Sequence, residues 1–103
     1  MMFTVIAFLY AAEDGMAALQ AFEAKTVPIL ADHGGRMEKA FAPAADDNTF
    51  APPPDEVHIL SFTSAEAYQS YRDDPRHHEL AAERQAAIRE TRIVVSGKMR
   101  YYI

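Results

Sequence analysis

Apolar residues fall in four short runs and two helical stripes, separated by polar or Gly- and Pro-rich breaks. Phe3 to Tyr10 is rich in aromatic and β-branched residues, apolar except at Thr4, and stops at Glu13-Asp14-Gly15, as a buried strand would. From Met16 to His33, Leu19, Phe22, Ile29 and Leu30 recur near helical spacing, and His33-Gly34-Gly35 supplies a C-terminal stop. Pro28 has no amide donor and is expected to kink this helix or split it near Thr26. Arg36 to Ala42 predicts a second strand. Pro43 to Pro54 reads as a long loop, with Asp46-Asp47-Asn48, Pro52-Pro53-Pro54 and an apolar Phe50 of open role.

Val57 to Phe62 predicts a third strand. Thr63 and Glu66 have the spacing of a capping box, in which hydroxyl and carboxylate satisfy the orphan amides of a helix start. Tyr68 and Tyr71 share one face of the helix that follows. Asp74-Pro75 restarts it, because Asp caps and Pro tolerates the first helical position. Leu80, Arg84, Ala87 and Ile88 continue one stripe, and Thr91 to Tyr102 predicts a last strand with Gly97 as a bulge position. The order β-α-β-β-α-β, with a central hairpin between helical crossovers, is the ferredoxin-like pattern of an α+β fold: four antiparallel strands with helices on one face. An antiparallel sheet with one face in water alternates apolar and polar residues. Phe3 to Tyr10 and Ile93-Val94-Val95 do not alternate. The second face therefore needs a cover, and a second copy of the sheet related by two-fold symmetry is the simplest, making the expected partner the chain itself as a homodimer.

At 103 residues, half of them apolar, the chain makes one domain, 1–103, with one modest core. A net charge of −5 with scattered basic residues gives no footprint for nucleic acid or an anionic membrane. The longest apolar run, Phe3 to Ala12, is too short to span a bilayer and lacks the basic flank of a signal peptide. The absence of cysteine excludes disulfides, thiolate nucleophiles and zinc-cysteine sites and suits a reducing, cytoplasmic compartment.

VPILADHGGR at Val27 to Arg36, VHILSFTSAEAYQSY at Val57 to Tyr71 and DDPRHHELAAER at Asp73 to Arg84 resemble the small bacterial proteins catalogued as domain of unknown function 1330, within the dimeric α/β-barrel superfamily. With the strand at each end, the resemblance covers nearly the whole chain. It implies ferredoxin-like subunits whose sheets pair face to face as a dimeric α/β barrel. Groups on the same scaffold include cofactor-free oxygenases of quinols or polyketides, haem-degrading oxygenases, lactone isomerases and stress-responsive or ligand-sensing modules. Fold likeness transfers none of these activities.

Phosphate-binding glycine loops, nucleophile elbows, His-Glu-x-x-His pairs and EF-hand loops are absent, and the expected reading carries no cofactor and no metal. His77 and His78 are neighbours, and helical neighbours point about 100° apart; the chelating offsets beyond them hold Ala81 and Ala82, Asp74 before them is claimed by capping and Glu79 stands at a poor angle, so the pair reads as a helix start. His58 shares strand parity with Leu60 and Phe62. It is either a core histidine satisfied by a neighbour or the catalytic candidate for proton transfer beside a pocket. Arg36 and His33 flank the Gly34-Gly35 turn, Arg36 as an anion anchor or in a salt bridge to Glu38, Glu56 or the partner subunit, and His33 as a ligand-binding candidate or a helix-end residue. Tyr10, Tyr68 and Tyr71 are candidates to line a pocket with polar points on apolar walls, or plain core. The leading expectation is a protein that binds a small, largely apolar organic molecule between sheet and helices. Two alternatives stand beside it: a cofactor-independent oxygenase or isomerase with a histidine base, and a structural or stress-associated dimer.

Overall fold

A computed structural model describes residues 2–13, 15–46 and 49–102. The elements run β1 (Phe3–Ala11), α1 (Met16–Asp32), β2 (Gly35–Phe41), β3 (Glu56–Phe62), α2 (Ala65–Arg72), α3 (Arg76–Glu79), α4 (Ala81–Ala87) and β4 (Ile88–Val95). The strands form one antiparallel sheet in the order β2-β3-β1-β4. This is the ferredoxin-like β-α-β-β-α-β fold expected from the pattern, and β1 lies between two neighbours, as its unbroken apolar run requires.

Register assigns the two faces. Val5, Ala7 and Leu9 stand opposite Leu60, His58 and Glu56, and also opposite Val95, Ile93 and Thr91. Because strand side chains alternate, these residues share the face that meets the helices. The core on this face is divided. One cluster gathers Ala7, Leu9, Leu19, Phe22, Ala87 and Ile88, and the other Val5, Leu30, Phe62 and Tyr68. Each large side chain buried there contributes on the order of 1.5–3 kcal/mol.

Several boundaries differ from the sequence reading. Helix α1 runs unbroken through Pro28. Pro28 and Ala24, whose carbonyl loses the donor, both lie on the exposed side of α1, where water can satisfy that carbonyl. The stop is as expected: Gly34 adopts a φ of 69° and its amide donates to the Ala31 carbonyl at 3.2 Å. The cap of α2 is Ser64, whose hydroxyl accepts from the Ala67 amide at 3.0 Å, and not Thr63. Pairing of Phe62 with Phe3 and Gly35 holds β3 extended to that residue, and Ser64 is the residue in extended conformation directly before the first helical turn. Asp74 does cap, its Oδ1 accepting from the Arg76 amide at 2.9 Å.

The last strand begins three residues earlier than expected and ends at Val95. The sheet irregularities fall at Tyr10/Ala11 and Met37/Lys39 and not at Gly97, and Asn48 of the expected turn chemistry lies outside the described residues, as does Asp47. The outer sheet face is covered in part by the chain itself. Phe50 packs on Phe8 with ring centroids 5.1 Å apart, and the Tyr10 hydroxyl donates to the Pro52 carbonyl at 3.0 Å. Val94 remains 56% exposed on that face, and Ile93 is 51% exposed on the other.

The cap assignment has a direct check. Ser64→Ala should lower unfolding stability by about 1 kcal/mol in urea denaturation, whereas Thr63→Ala should stay within about 0.5 kcal/mol. The opposite ranking would return the cap to Thr63.

Candidate active site

Between the two core clusters lies a cavity of about 380 Å³. Its floor is the helix face of the sheet, from Met37 through Leu60, His58 and Ala7 to Ile93, and its roof comes from α1, α2 and the segment around His77 and Arg84. Parity alone places His58 here: Glu56, His58, Leu60 and Phe62 occupy alternate positions of β3 on one face. The His58 side chain is 5% exposed. Its Nε2 lies 2.5 Å from Glu56 Oε1, and its Nδ1 lies 3.7 Å from Glu23 Oε2.

This arrangement restricts the imidazole. An ionised carboxylate accepts only, so Glu56 selects the form with a proton on Nε2, and Nδ1 is then the nitrogen directed toward Glu23. The Glu23 contact is beyond hydrogen-bond range, leaving Nδ1 available to a ligand proton. Burial pushes the Glu23 carboxyl above its ordinary 4.5, while nearby His58 and a bond to Thr26 pull it down. The Thr26 hydroxyl also donates to the Glu23 carbonyl at 2.9 Å. Burial and the adjacent Glu23 push the Tyr71 phenol up to about 12, so its hydroxyl stays protonated at neutral pH. The two carboxylates approach different ring nitrogens of His58 and cannot chelate one ion together with it. Among the described residues no group of three His, Cys, Asp or Glu is disposed to hold a metal ion.

The six residues singled out in the sequence separate into three places. His58, Tyr68 and Tyr71 line the cavity, with Tyr68 and Tyr71 packed on Phe62 at 5.3 and 5.6 Å. Arg36 lies on the opposite face, paired in register with Ser61, exposed, with its Nε 3.6 Å from Glu38. Tyr10 is also on that face, 1% exposed and flanked by Arg89 and Arg92 at 5.4 and 5.3 Å. His33 closes the end of α1, its Nε2 2.8 Å from Asp74 Oδ2. Asp74 also binds Arg76, and these partners hold its carboxyl well below the usual range.

Glu23, Thr26, His77 and Arg84 also line the cavity. The signal for Glu23 was present in the sequence: it falls in the stripe Leu19, Phe22, Thr26, Leu30, where an apolar residue is expected. Glu56 was legible as the residue two before His58 on the same face. His77 belongs to a pair that reads locally as a helix start, and only the fold brings it to the wall. Its ring stands edge-on to Tyr71 at 4.7 Å, its Nε2 is buried without a partner, and burial lowers its pKa.

No family model matches the chain, and no curated protein matches it significantly. Solved structures do match. A protein of unknown function from Rhodopseudomonas palustris superposes with a TM-score of 0.76 at 19% identity, over 97% of this chain and 84% of its own. A DABB-family protein with a ferredoxin-like fold from Mesorhizobium loti gives 0.69 at 13% identity, covering 96% and 98%. A cofactor-independent oxygenase from Streptomyces nogalater gives 0.70 at 14%, covering 97% and 95%. The likeness is one of fold. The narrower resemblance to the group of domain of unknown function 1330 remains a resemblance.

Glu23→Gln provides a test of the electrostatics. A carboxyl whose folded pKa is raised stabilises the fold below its ordinary value, and that contribution disappears as pH rises through the raised value. The variant should therefore have the higher denaturation midpoint near about pH 8, with the difference shrinking toward about pH 4. A lower midpoint for the variant near about pH 8 would mean that attraction to His58 outweighs burial.

Proposed function

We propose that the chain binds a small, largely apolar organic molecule in the cavity between sheet and helices, with His58 meeting a weakly acidic group of that molecule. One observation carries this reading: an imidazole only 4% exposed, set between two carboxylates on the wall of a cavity of about 380 Å³. The volume is within the usual range of small-molecule sites, and apolar walls with a few convergent polar groups are what such sites present. A packed core histidine would need one partner and no void. This one has Glu56 as its partner and faces open space.

The Glu56-His58 pair also supports a catalytic reading. Glu56 orients the ring and would stabilise the imidazolium formed when Nδ1 takes a proton from an acidic C–H or O–H, the division of labour of a general base and its orienter. In an isomerase the same proton returns at another carbon and no co-reactant is required. In a cofactor-independent oxygenase the substrate carbanion passes its electrons to dioxygen. The oxygenase from Streptomyces nogalater has this overall fold.

We also propose that two copies associate through the outer sheet face. Val94, 56% exposed, and the half-buried Ile6 form an apolar strip on that face beside the part covered by Phe50. Light scattering at micromolar concentration should give twice the chain mass of 11.5 kDa, and Val94→Glu should return it toward one chain. A single-chain mass for the wild type would remove the dimer.

Binding is measured with 2-naphthol by its own fluorescence. His58→Gln should weaken binding about tenfold, and Leu60→Trp, which fills the cavity, should abolish it. Wild-type affinity in the Leu60→Trp protein would place the probe elsewhere and overturn the proposal.

A further inference from the structure

The arginines of the helices and strands are not alike in their partners. Arg36, Arg76, Arg89 and Arg92 each have a carboxylate within 4.0 Å. Among the described residues Arg72 and Arg84 form no ion pair, although the chain has 15 acidic and only 10 basic residues. These same two arginines line the cavity. Arg72 lies over the Tyr68 ring at 5.5 Å. Arg84 donates from Nη2 to Thr91 Oγ1 at 3.1 Å, and Thr91 also lines the cavity. A guanidinium has five donors and is charged at every physiological pH, so Arg84 keeps most of its hydrogen-bonding capacity at the cavity wall.

From this distribution we infer that the cavity's ligand is an organic anion whose carboxylate is held by Arg84 beside Thr91, with its apolar body running inward over Leu60 and Ile93 toward His58. This assignment rests on the cavity being the binding site and adds the chemical class of what it takes. The groups facing Arg84 agree with it. Glu23 and Tyr71 both feel the Arg84 charge, and Thr26 and Tyr71 place hydroxyls near the same wall. Among the described residues that line the cavity, Glu23 is the one acid that would oppose an anion there, and burial already favours its neutral form. A phenol or alcohol of the same size would satisfy His58 and leave Arg84 unanswered.

The test compares 2-naphthoate with 2-naphthol, equal in ring size and different in charge, at about pH 7.5 and low salt, with wild type, Arg84→Gln and Leu60→Trp. Wild type should prefer the carboxylate about tenfold, and Arg84→Gln should bring the ratio of the two affinities close to one. Leu60→Trp should abolish binding of both. A wild-type ratio near one overturns the anion assignment and leaves the cavity reading intact, as does an unchanged preference in Arg84→Gln. Loss of neither probe in Leu60→Trp overturns the cavity reading and the anion assignment together.

Discussion

A histidine on the buried face of a sheet needs a partner, and the rest of the site follows from how this chain supplies one. Glu56 precedes His58 by one pleat and reaches its Nε2 from the same strand face. Two polar groups then lie where β3 would otherwise present aliphatic side chains to α1. Helix α1 answers with Glu23 and Thr26 in the middle of its apolar stripe. Polar groups that must keep their hydrogen-bonding geometry do not interdigitate as Leu and Ile do, so the core separates into a cluster on either side. The gap between them is the cavity. Replacing His58, Glu56 and Glu23 with apolar residues of similar volume would be the route to one continuous core, which marks the polar line as a cost to stability that the fold carries.

The sheet positions this line. Strand β1 lies between β3 and β4, and its small Ala7 directly opposite His58 leaves room for the ring. A larger residue at Ala7 would fill the space beside the imidazole. On the other face, β1 presents Ile6, Phe8 and Tyr10, and the chain covers the last two with its own loop: Phe50 on Phe8, and the Pro52 carbonyl on the Tyr10 hydroxyl. The same loop is tied to the end of β1 by Asp55, whose amide donates to Leu9 at 2.8 Å and whose carboxylate accepts from Ala11 at 2.7 Å. The long hairpin connection therefore serves as a partial second layer, which a four-stranded sheet with only one helical face lacks.

Much of this arrangement is legible in the sequence. Runs of aromatic and β-branched residues, the glycine stop after α1 and the order of elements fixed the ferredoxin-like topology, because local patterning and helical crossovers leave few arrangements. Strand parity correctly grouped His58 with Leu60 and Phe62. Arg36 and His33 looked like site residues because they flank a turn, yet parity sends Arg36 to the face away from the helices, and the Asp74 carboxylate, far along the chain, holds His33. Tyr10 illustrates the same limit: an aromatic in an apolar run packs on either face, and only its register with Glu90 assigns it to the outer one. Arg84 carried a local signal, a charged residue in the apolar stripe Leu80, Ala87 and Ile88, whereas His77 reaches the cavity through the packing of the short helices and nothing local to it encodes that.

An acidic chain that holds two unpaired arginines at a cavity separates long-range from short-range electrostatics. At physiological ionic strength a net charge of −5 is screened within about 8 Å, so it slows encounter with an anion only weakly. Inside the cavity mouth the nearest charges decide. There Arg84 is close enough to influence both Glu23 and Tyr71, while the two carboxylates are turned toward His58. An anion at Arg84 would in turn favour the neutral form of Glu23, since an added negative charge raises the proton affinity of a neighbouring carboxylate. An anion bound as proposed would thus be coupled to protonation of Glu23 through side chains on α1 and α4.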